Sequence, residues 1–455
     1  MECKKKSIAI IGAGPAGCMC AYFASKDNDI TQDVMIFDFA KPLHTLLYTG
    51  GGRCNLAYAE YDFKELAKFY PRGEKFLYSV FSKFSTADTI DFFKTIGVET
   101  YVQDDLRIFP TSNSASDVRE KFLNSLKNCT FKKEKVLQIK QVQDDANTKC
   151  NFLVKTENNA YHFDKVVIAT GGHAGFKLAQ DLGHTIVAPK PALTGLITAE
   201  NFKMIQGVSL KNVKAEVFYN GKKFQSTIQD DMIFTHEGIS GPLAYKISSI
   251  YARENYNKQN PLKIKLDFLH NNINIVGQEC PTYSDDNNLK SRSGILARQQ
   301  KNNYFQNLLN ANPKKDVKNL IAEFVPKSLA EYIVEQCNLT NVRANGIASV
   351  DAHCQRRQFL PRNDAMKCHE VNGKMRDLIL KQLQEFEINV VSPAKDGEVV
   401  TSGGVCLDEI NPKTMQSKLV KGLYFCGEVI DVDGFCGGFN LQNCWSTGFV
   451  VGSSN

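Results

Sequence analysis

The segment TGGGRCN at residues 49–55 places three glycines directly before an arginine, a cysteine and an asparagine. Consecutive glycines are costly to order, so they are kept where the backbone must come close to something, often a ligand. The guanidinium of Arg53 is a forked, charged donor suited to a phosphate or to a substrate oxygen. Asn55 can both donate and accept, and Cys54 is either a redox-active thiol or a small packed side chain. The segment predicts contact with a ligand that other parts of the chain must identify.

A second glycine-rich segment, GAGPAG at 12–17, has the spacing Gly-x-Gly-x-x-Gly. It follows an apolar run and opens a helical pattern, and Asp38 ends the next apolar run. Such glycines permit a tight turn and the close approach of a pyrophosphate, while the acidic residue accepts hydrogen bonds from a ribose. This context predicts a dinucleotide site. Its predicted residues are Gly12, Ala13, Gly14, Pro15, Ala16, Gly17 and Asp38.

Three later features extend this predicted site. ATGG at 169–172 and CGEVIDVDG at 426–434 look like further walls of it, and Glu428 or Asp433 could accept hydrogen bonds from ribityl hydroxyls. The glycines at 437–438 precede FNLQN and predict a helix start. A helix N-terminus aimed at a flavin stabilises the negative charge that develops on reduction. Because no second Gly-x-Gly-x-x-Gly occurs, the chain shows one recognisable dinucleotide site.

The elements that position these residues follow from the hydrophobic pattern. SIAII (7–11), a helix at 15–26 and DVMIFD (33–38) predict a βαβ unit, and KVVIATGG (165–172) predicts another buried strand. Three short β-rich runs at 131–164 predict a small antiparallel meander. The predicted fold class is α/β: a Rossmann-like domain with a parallel sheet plus this meander, and a large inserted α+β domain.

The predicted insertion follows from a change in character after the PKP at 189–191. From there to about 395 the chain is more polar and has few glycine turns of the nucleotide-binding type. Glycine-rich segments like those before residue 189 return with TSGGV near 401. We therefore predict a first part of the nucleotide-binding domain at 1–188, an inserted domain at 189–395 and a C-terminal part at 396–455. Residues 302–338 are expected to be helical, and the polar stretch at 256–300 to be an exposed or partly disordered connection.

Composition excludes several classes of protein. The net charge of +6 over 455 residues forms no stripe that would indicate nucleic-acid binding. The 14 cysteines contain no C-x-x-C pair and lie within apolar runs, which favours free thiols in a reducing compartment. His353–Cys354 and Cys368–His369 lack zinc spacing, so no metal is expected. No apolar stretch is long enough to span a membrane, and the expected location is cytoplasmic.

Five blocks of the chain, in order, carry a resemblance to a known family. They are TGGGRCN (49–55), FPTSNSASDV (109–118), FTHEGISGP (234–242), VTSGGV (400–405) and GLYFCGEVIDVDGFCGGFNLQ (422–442). They resemble the family of FAD-dependent oxidoreductases that includes the bile-acid ring reductase BaiN and aminoacetone oxidase, long called the YhiN type. The resemblance runs nearly end to end, and it implies FAD bound by a Rossmann-like domain with an inserted domain over the flavin.

The resemblance also implies further site residues. The glycine–arginine segment would wrap the cofactor near the pyrophosphate and ribityl chain, and Arg53 and His236 are the candidate catalytic residues. His236 is the only histidine in these blocks, so it is the candidate for proton transfer near flavin N5, the alternative being a structural histidine. The further residues expected to contact the cofactor are Gly51, Gly52, Arg53, Cys54, Asn55, Val136, Ala169, Thr170, Gly171, Gly427, Glu428, Asp433, Gly438, Asn440, Leu441 and Gln442.

The resulting functional expectation is an FAD-dependent oxidoreductase that moves a hydride between NAD(P)H or a substrate carbon and an acceptor. The overall reaction would be enone-type reduction or oxygen-coupled oxidation of a small molecule. NAD(P)H would bind transiently, because only one dinucleotide fingerprint is visible. No nucleic-acid or membrane partner is expected, and the sequence leaves the oligomeric state open. Two alternatives remain: a flavin-dependent RNA-modifying enzyme and a non-catalytic FAD-binding protein.

Overall fold

A computed structural model describes residues 7–26, 33–142, 151–223, 227–269, 303–344, 366–394 and 400–454. It divides into two compact units. The first comprises residues 1–193, 248–253 and 398–455, and the second comprises residues 194–247 and 254–397. The predicted boundary at 188/189 falls inside a strand, because the prolines of PKP occupy a strand that pairs with the segment after the insertion. Residues 248–253 belong to the first unit although the surrounding chain belongs to the second.

The first part of the first unit alternates strands and helices. Its strands are β1 (Ser7–Ile11), β2 (Asp33–Phe37), β3 (Ala57–Tyr58), β4 (Thr100–Val102), β5 (Arg107–Pro110), β6 (Thr130–Lys132), β7 (Val136–Gln141), β8 (Phe152–Thr156), β9 (Ala160–Phe163), β10 (Lys165–Ile168) and β11 (Ile186–Ala192). Its helices are α1 (Pro15–Ala24), α2 (Phe63–Ala67), α3 (Glu74–Phe81), α4 (Thr86–Thr95), α5 (Ala115–Ser125) and α6 (Phe176–Asp181).

The second unit contains a sheet and a group of helices. Its strands are β12 (Leu196–Thr198), β13 (Ser209–Tyr219), β14 (Lys222–Lys223), β15 (Ile228–Phe234), β16 (Gly238–Ser240), β17 (Leu262–Asp267) and β18 (Phe386–Pro393). Its helices are α7 (Pro242–Ile250), whose last turn is counted with the first unit, α8 (303–311), α9 (Val317–Ile321), α10 (Lys327–Ala344) and α11 (Gly373–Gln384). The chain then returns to the first unit with β19 (Val400–Val405), β20 (Leu423–Phe425) and α12 (Phe439–Gly452).

A five-stranded parallel sheet organises the first unit. Its strand order is β20-β10-β1-β2-β6, so the C-terminal strand lies at the edge beside β10. The central strands β1 and β10 are short and mostly apolar because both of their faces are buried, as in other α/β proteins. A separate β7-β8-β9 sheet is the predicted antiparallel meander. The predicted fold class is thus confirmed.

Helices α1 and α12 pack with their backbones in close contact. A Cβ added at Gly448 would lie 2.5 Å from the carbonyl oxygen of Ala16, and one added at Gly452 would lie 2.5 Å from that of Cys20. Any larger residue at these two positions would push the helices apart. The two C-terminal glycines therefore fix the closing helix against the helix that follows the first glycine turn.

Six of the seven strands described in the second unit form one antiparallel ring, and β14 pairs with β13 outside it. β13, β15, β16, β12, β18 and β17 pair in that order, and β17 also pairs with β13, which closes the ring. Three buried aromatic residues, Phe202, Phe234 and Phe386, pack against one another with ring centroids 4.9 to 6.2 Å apart. β17 lies within the stretch predicted as an exposed connection; its alternating LKIKLD pattern is a strand signal that the surrounding polar residues obscured.

Candidate functional site

Four of the predicted site segments follow the carboxyl ends of neighbouring parallel strands. Gly12 follows β1, Asp38 follows β2, the segment 169–171 follows β10 and the segment 427–428 follows β20. Because these strands are parallel and adjacent, the four segments meet at one edge of the sheet. Ligands of open α/β sheets bind at this edge. The fold therefore brings together residues that lie more than 400 positions apart in the chain.

The first glycine turn is closed on one side and open on the other. Gly12 has a φ of +109°, and a Cβ there would lie 2.4 Å from the carbonyl oxygen of Ala169. A Cβ at Gly17 would lie 2.0 Å from the carbonyl oxygen of Gly12. At Gly14, the N-cap of α1, a Cβ would meet no described atom within 4 Å. Gly12 and Gly17 are thus required by the protein itself, whereas Gly14 leaves room for a ligand at the helix N-terminus.

The side chains of Asp38 and Cys444 both bond to the backbone around this turn. Asp38 accepts a hydrogen bond from the N–H of Ala13 at 2.7 Å and another from the N–H of Ala40 at 2.8 Å. Each carboxylate oxygen retains a second lone pair, so Asp38 can still accept from ribose hydroxyls. The thiol of Cys444 accepts from the N–H of Ala16, and burial raises the pKa of that thiol well above its usual range. The thiol therefore stays protonated beside the turn.

Four residues of the glycine–arginine segment have left-handed backbone conformations. Gly50, Gly51, Gly52 and Cys54 have φ values of +57°, +67°, +82° and +65°. A Cβ at Gly50 would lie 2.8 Å from both the backbone nitrogen of Asn55 and Cε1 of Phe109, whereas a Cβ at Gly51 would meet no described atom within 4 Å. Gly51 and Gly52 are exposed. The loop thus presents bare backbone on one side, as expected for a segment that contacts a ligand.

The three polar residues of this loop differ in their surroundings. The guanidinium carbon of Arg53 lies 4.2 Å from the ring centroid of Phe109, and its Nε donates to the carbonyl of Gly50 at 3.3 Å. Cys54 is fully buried, and this burial raises its pKa to about 12. A thiol with that pKa is not a thiolate at neutral pH, which favours packing over redox chemistry. Asn55 is buried with an Oδ1 that has no hydrogen-bond partner within the described part of the chain.

The segment after β20 is held against the first helix. Gly427 has a φ of +76°, a Cβ there would lie 2.7 Å from the Cβ of Ala16, and its N–H donates to Oγ1 of Thr447 at 2.9 Å. Glu428 follows immediately and is partly buried. Loss of solvent, reinforced by the negative charge of Asp433, raises the pKa of Glu428 to about 7. A protonated Glu428 can donate as well as accept a hydrogen bond at this edge.

Asp433, predicted to bind ribityl hydroxyls, has a protein partner instead. It is fully buried, and its two oxygens accept from Nε of Arg72 at 2.5 Å and from Nη2 of the same residue. The hydroxyl of Ser249 also donates to it, at 2.9 Å. The binding of ribityl hydroxyls by either Glu428 or Asp433 stays a prediction. No motif signalled Arg72 in the sequence, because its partner lies 361 positions away.

The start of α12 packs against β3. Gly438 has a φ of +98°, and a Cβ there would lie 2.7 Å from the carbonyl group of Ala57. Asn440 accepts from the N–H of Gly434 at 2.8 Å and donates to its carbonyl at 2.9 Å. Gln442 is fully buried between Thr89 and Ser446. The side chains of Asn440 and Gln442 thus hold the closing segment in shape.

The remaining predicted contacts lie near the turn after β10 and at the start of the meander. The N–H of Ala169 donates to the carbonyl of Ile11 at 2.8 Å. Thr170 has an Oγ1 that is buried and has no partner among the described residues, and Gly171 has a φ of +71° with open space where a Cβ would be. Leu441 is partly buried against the core, and Val136 begins β7 opposite Thr156. An unpartnered hydroxyl beside an open glycine suits a polar ligand.

His236 lies in the second unit, in the hairpin turn between β15 and β16. Its side chain is 63% exposed, and its Nε2 lies 3.7 Å from Oε1 of Glu237. Its role in proton transfer stays a prediction.

The described residues contain neither a candidate metal site nor a helix that could span a membrane. Within them, no group of three or more His, Cys, Asp or Glu residues could hold a metal ion. Cys368 is buried and His369 bonds through Nδ1 to the carbonyl of Pro313 at 2.7 Å, whereas His353 and Cys354 lie outside the described residues. No described helix has the length and apolar character needed to cross a membrane.

Comparison with known proteins gives matches along nearly the whole chain. Residues 6–454 match the family described as HI0933-like protein Rossmann domain. The chain is 26% identical over 455 residues to a 3-dehydro-bile acid delta(4,6)-reductase of Clostridium scindens, covering 98% of each chain. It is 25% identical over 467 residues to a ribosomal RNA dihydrouridine synthase of Haemophilus influenzae, covering 98% of this chain and 97% of the other. A protein of the same name from Escherichia coli is 25% identical over 463 residues, with 97% and 96% covered.

Solved structures give weaker matches. The Sdh1 complex of Mycobacterium smegmatis in its apo form aligns with 99% of this chain and 68% of its own, at 13% identity and a TM-score of 0.41. The atypical thioredoxin reductase TRi of Desulfovibrio vulgaris Hildenborough aligns over 37% of each chain, at 15% identity and a TM-score of 0.19.

Proposed function

This chain belongs to the HI0933-like family of Rossmann-domain proteins and is a flavin-dependent oxidoreductase; we propose that it uses FAD to reduce a carbon–carbon double bond conjugated to a carbonyl group. NAD(P)H is the proposed hydride source. It would bind transiently, because the sequence carries a single dinucleotide fingerprint.

The observation that carries the FAD proposal is the convergence of glycine-bearing segments at the carboxyl edge of the parallel sheet. Gly427 touches Ala16 of the first turn, and Gly438 touches Ala57, just after the glycine–arginine loop. The same region has open space at Gly14, Gly51 and Gly171. An extended dinucleotide requires segments that pack closely against one another. It also requires bare backbone with free space on the side that faces the ligand.

The residues present fit the parts of FAD. Asp38 would accept from the adenosine ribose, the N-terminus of α1 at Gly14 would face the pyrophosphate, and Glu428 would bind the ribityl chain. The unpartnered oxygens of Asn55 and Thr170 offer further polar contacts. When bound, FAD supplies a ring that accepts and returns a hydride. The protein contributes orientation, exclusion of water and control of protons.

The choice of a conjugated double bond comes from the relatives. Their names describe a delta(4,6)-reductase of a 3-dehydro bile acid and a synthase of dihydrouridine in ribosomal RNA. Both products result from saturating a carbon–carbon bond conjugated to a carbonyl. Such a reduction adds a hydride to the β-carbon and a proton to the α-carbon. His236 is the residue proposed to supply that proton.

Ribosomal RNA is the second candidate substrate. Two of the relatives carry the name of a ribosomal RNA dihydrouridine synthase and match this chain over at least 96% of their length. The modest net charge of +6, without a basic stripe, favours a small molecule instead. The two candidates share one reaction type and differ in substrate size.

The test uses the purified full-length protein under anaerobic conditions. We expect flavin absorbance bands that bleach with NADH or NADPH and return on addition of a 3-oxo-Δ4 steroid, with one equivalent of saturated ketone formed. Return only with oxygen would indicate an oxidase, and return with a ribosomal RNA transcript together with dihydrouridine formation would select the RNA candidate. Protein that is colourless and cannot be loaded with FAD refutes the proposal.

A His236→Asn variant separates proton transfer from flavin reduction. If His236 supplies the proton, the variant reoxidises slowly with the enone while bleaching by NADPH keeps its wild-type rate. Glu237→Gln, which changes the neighbouring exposed residue, is the matched control. Equal reoxidation rates in His236→Asn and wild type would assign His236 a structural role.

A further inference from the structure

Phe109 is a fully buried ring that the proposed reaction does not use. It lies in β5, which pairs with β3 on one side and with β4 on the other. Strand pairing on both sides fixes its backbone, so the ring is a rigid surface. It begins the block FPTSNSASDV. A buried aromatic ring held this firmly can orient whatever stacks on it.

The residue that stacks on this ring is Arg53. Its guanidinium carbon lies 4.2 Å from the ring centroid, within the range of a cation–π contact. The Nε of Arg53 donates a hydrogen bond to the carbonyl of Gly50, which fixes the guanidinium at the side that joins the alkyl chain. Of the described residues, none accepts a hydrogen bond from the two Nη atoms. They remain a fork that can take a phosphate in bidentate geometry.

The loop itself is shaped around the same ring. A Cβ at Gly50 would lie 2.8 Å from Cε1 of Phe109, so only glycine permits the loop to close against it. Ring, loop and guanidinium therefore form one packed unit. In contrast, Arg107 lies 5.7 Å from the same ring and is paired with Asp105 on the surface. Arg107 thus contacts the ring without having a free fork.

We propose that Phe109 is a positioning residue that holds the Nη fork of Arg53 toward the diphosphate of FAD. This inference rests on the proposed FAD site. Removing the aromatic face frees the guanidinium to sample other orientations, and its contribution to cofactor binding falls. The effect acts through Arg53 alone, which distinguishes it from general packing by a large apolar residue.

The experiment is a double-mutant cycle on FAD affinity. The full-length chain is stripped of FAD, and its dissociation constant for FAD is measured by quenching of flavin fluorescence. Phe109→Leu is expected to weaken binding by about 2- to 30-fold, the range of a cation–π contact converted at tenfold per 1.4 kcal/mol. Arg53→Met weakens it further, and adding Phe109→Leu to Arg53→Met has no additional effect. Phe109→Tyr, which keeps the ring face, binds FAD like wild type, as does the control Arg107→Met.

Three outcomes overturn the inference. If Phe109→Leu weakens binding equally with and without Arg53, the ring only packs. If Phe109→Tyr binds FAD as poorly as Phe109→Leu, the aromatic face is not what matters. If the coupling occurs in the KM for substrate and is absent from FAD affinity, the fork serves a substrate oxygen. Failure of the wild-type chain to bind FAD would instead refute the proposed function, so the two failures are distinguishable.

Discussion

Replacing Arg72 by methionine tests the ion pair that holds the closing segment of the first unit. Asp433 is fully buried, and Arg72 is 12% exposed at the side chain. Arg72 donates twice to this carboxylate, once to the carbonyl of Ser249 at 2.7 Å and once to the hydroxyl of Ser249 at 3.2 Å. Methionine keeps the apolar stem and removes all four hydrogen bonds. The carboxylate then stays buried without a cation.

The expected loss of stability is large because the remaining charge is desolvated. Breaking a buried ion pair by removing one partner costs about 3–5 kcal/mol. For a unit of this size, roughly 2–4 °C of melting temperature accompanies each kcal/mol, so we expect a decrease on the order of 10 °C. Replacing both partners, as in Arg72→Met with Asp433→Asn, removes the stranded charge and is expected to recover most of the loss.

The assay is thermal unfolding of the full-length protein, followed by circular dichroism with and without added FAD. Arg107→Met is the matched control, because Arg107 and its partner Asp105 are 40% and 51% exposed at their side chains. Exposed pairs contribute about 1 kcal/mol or less, so this variant should melt within a few degrees of wild type. If Arg72→Met melts no earlier than Arg107→Met, or if the double variant is less stable than Arg72→Met, the reasoning about the stranded charge is wrong.

Three further predictions follow from the site. The pKa of Glu428 is about 7 in the folded protein and 4.5 as its reference value, so the folded protein loses stability as pH rises from 4.5 to 7. The Glu428→Gln variant should therefore have a free energy of unfolding up to about 3 kcal/mol above that of wild type at pH 8 and equal to it at pH 4. Denaturant unfolding of the FAD-free protein measures this difference. Gly14→Ala should weaken FAD binding while leaving the melting temperature within a few degrees, whereas Gly17→Ala, whose Cβ would meet a carbonyl oxygen at 2.0 Å, should unfold much earlier; equal melting of both variants contradicts this. Because burial raises the pKa of Cys54 to about 12, Cys54→Ala should consume the same number of fast thiol-reagent equivalents at pH 8 as wild type, and a loss of one equivalent would show that Cys54 is reactive.

Local pattern in the sequence was enough to predict the fold class and the family, because the relevant signals are short. SIAII and KVVI are apolar runs that become buried parallel strands, and Gly-x-Gly-x-x-Gly encodes its own turn through steric necessity. Ser85 and Asp88, three residues apart, form a capping box at the start of α4, with the N–H of Ser85 donating to Asp88 at 2.7 Å. Each of these features depends on residues within about one turn or strand.

Tertiary structure decided which polar residues of the site have protein partners. Asp38, Glu428 and Asp433 look alike in the sequence as carboxylates after apolar runs. Folding pairs Asp433 with Arg72, bonds Asp38 to backbone N–H groups, and leaves Glu428 partly buried with a raised pKa. The sequence gives no sign of the stacking of Arg53 on Phe109, because the two residues are 56 positions apart. Burial and distant charges determine a side chain's protonation and orientation, and only the packed fold specifies both.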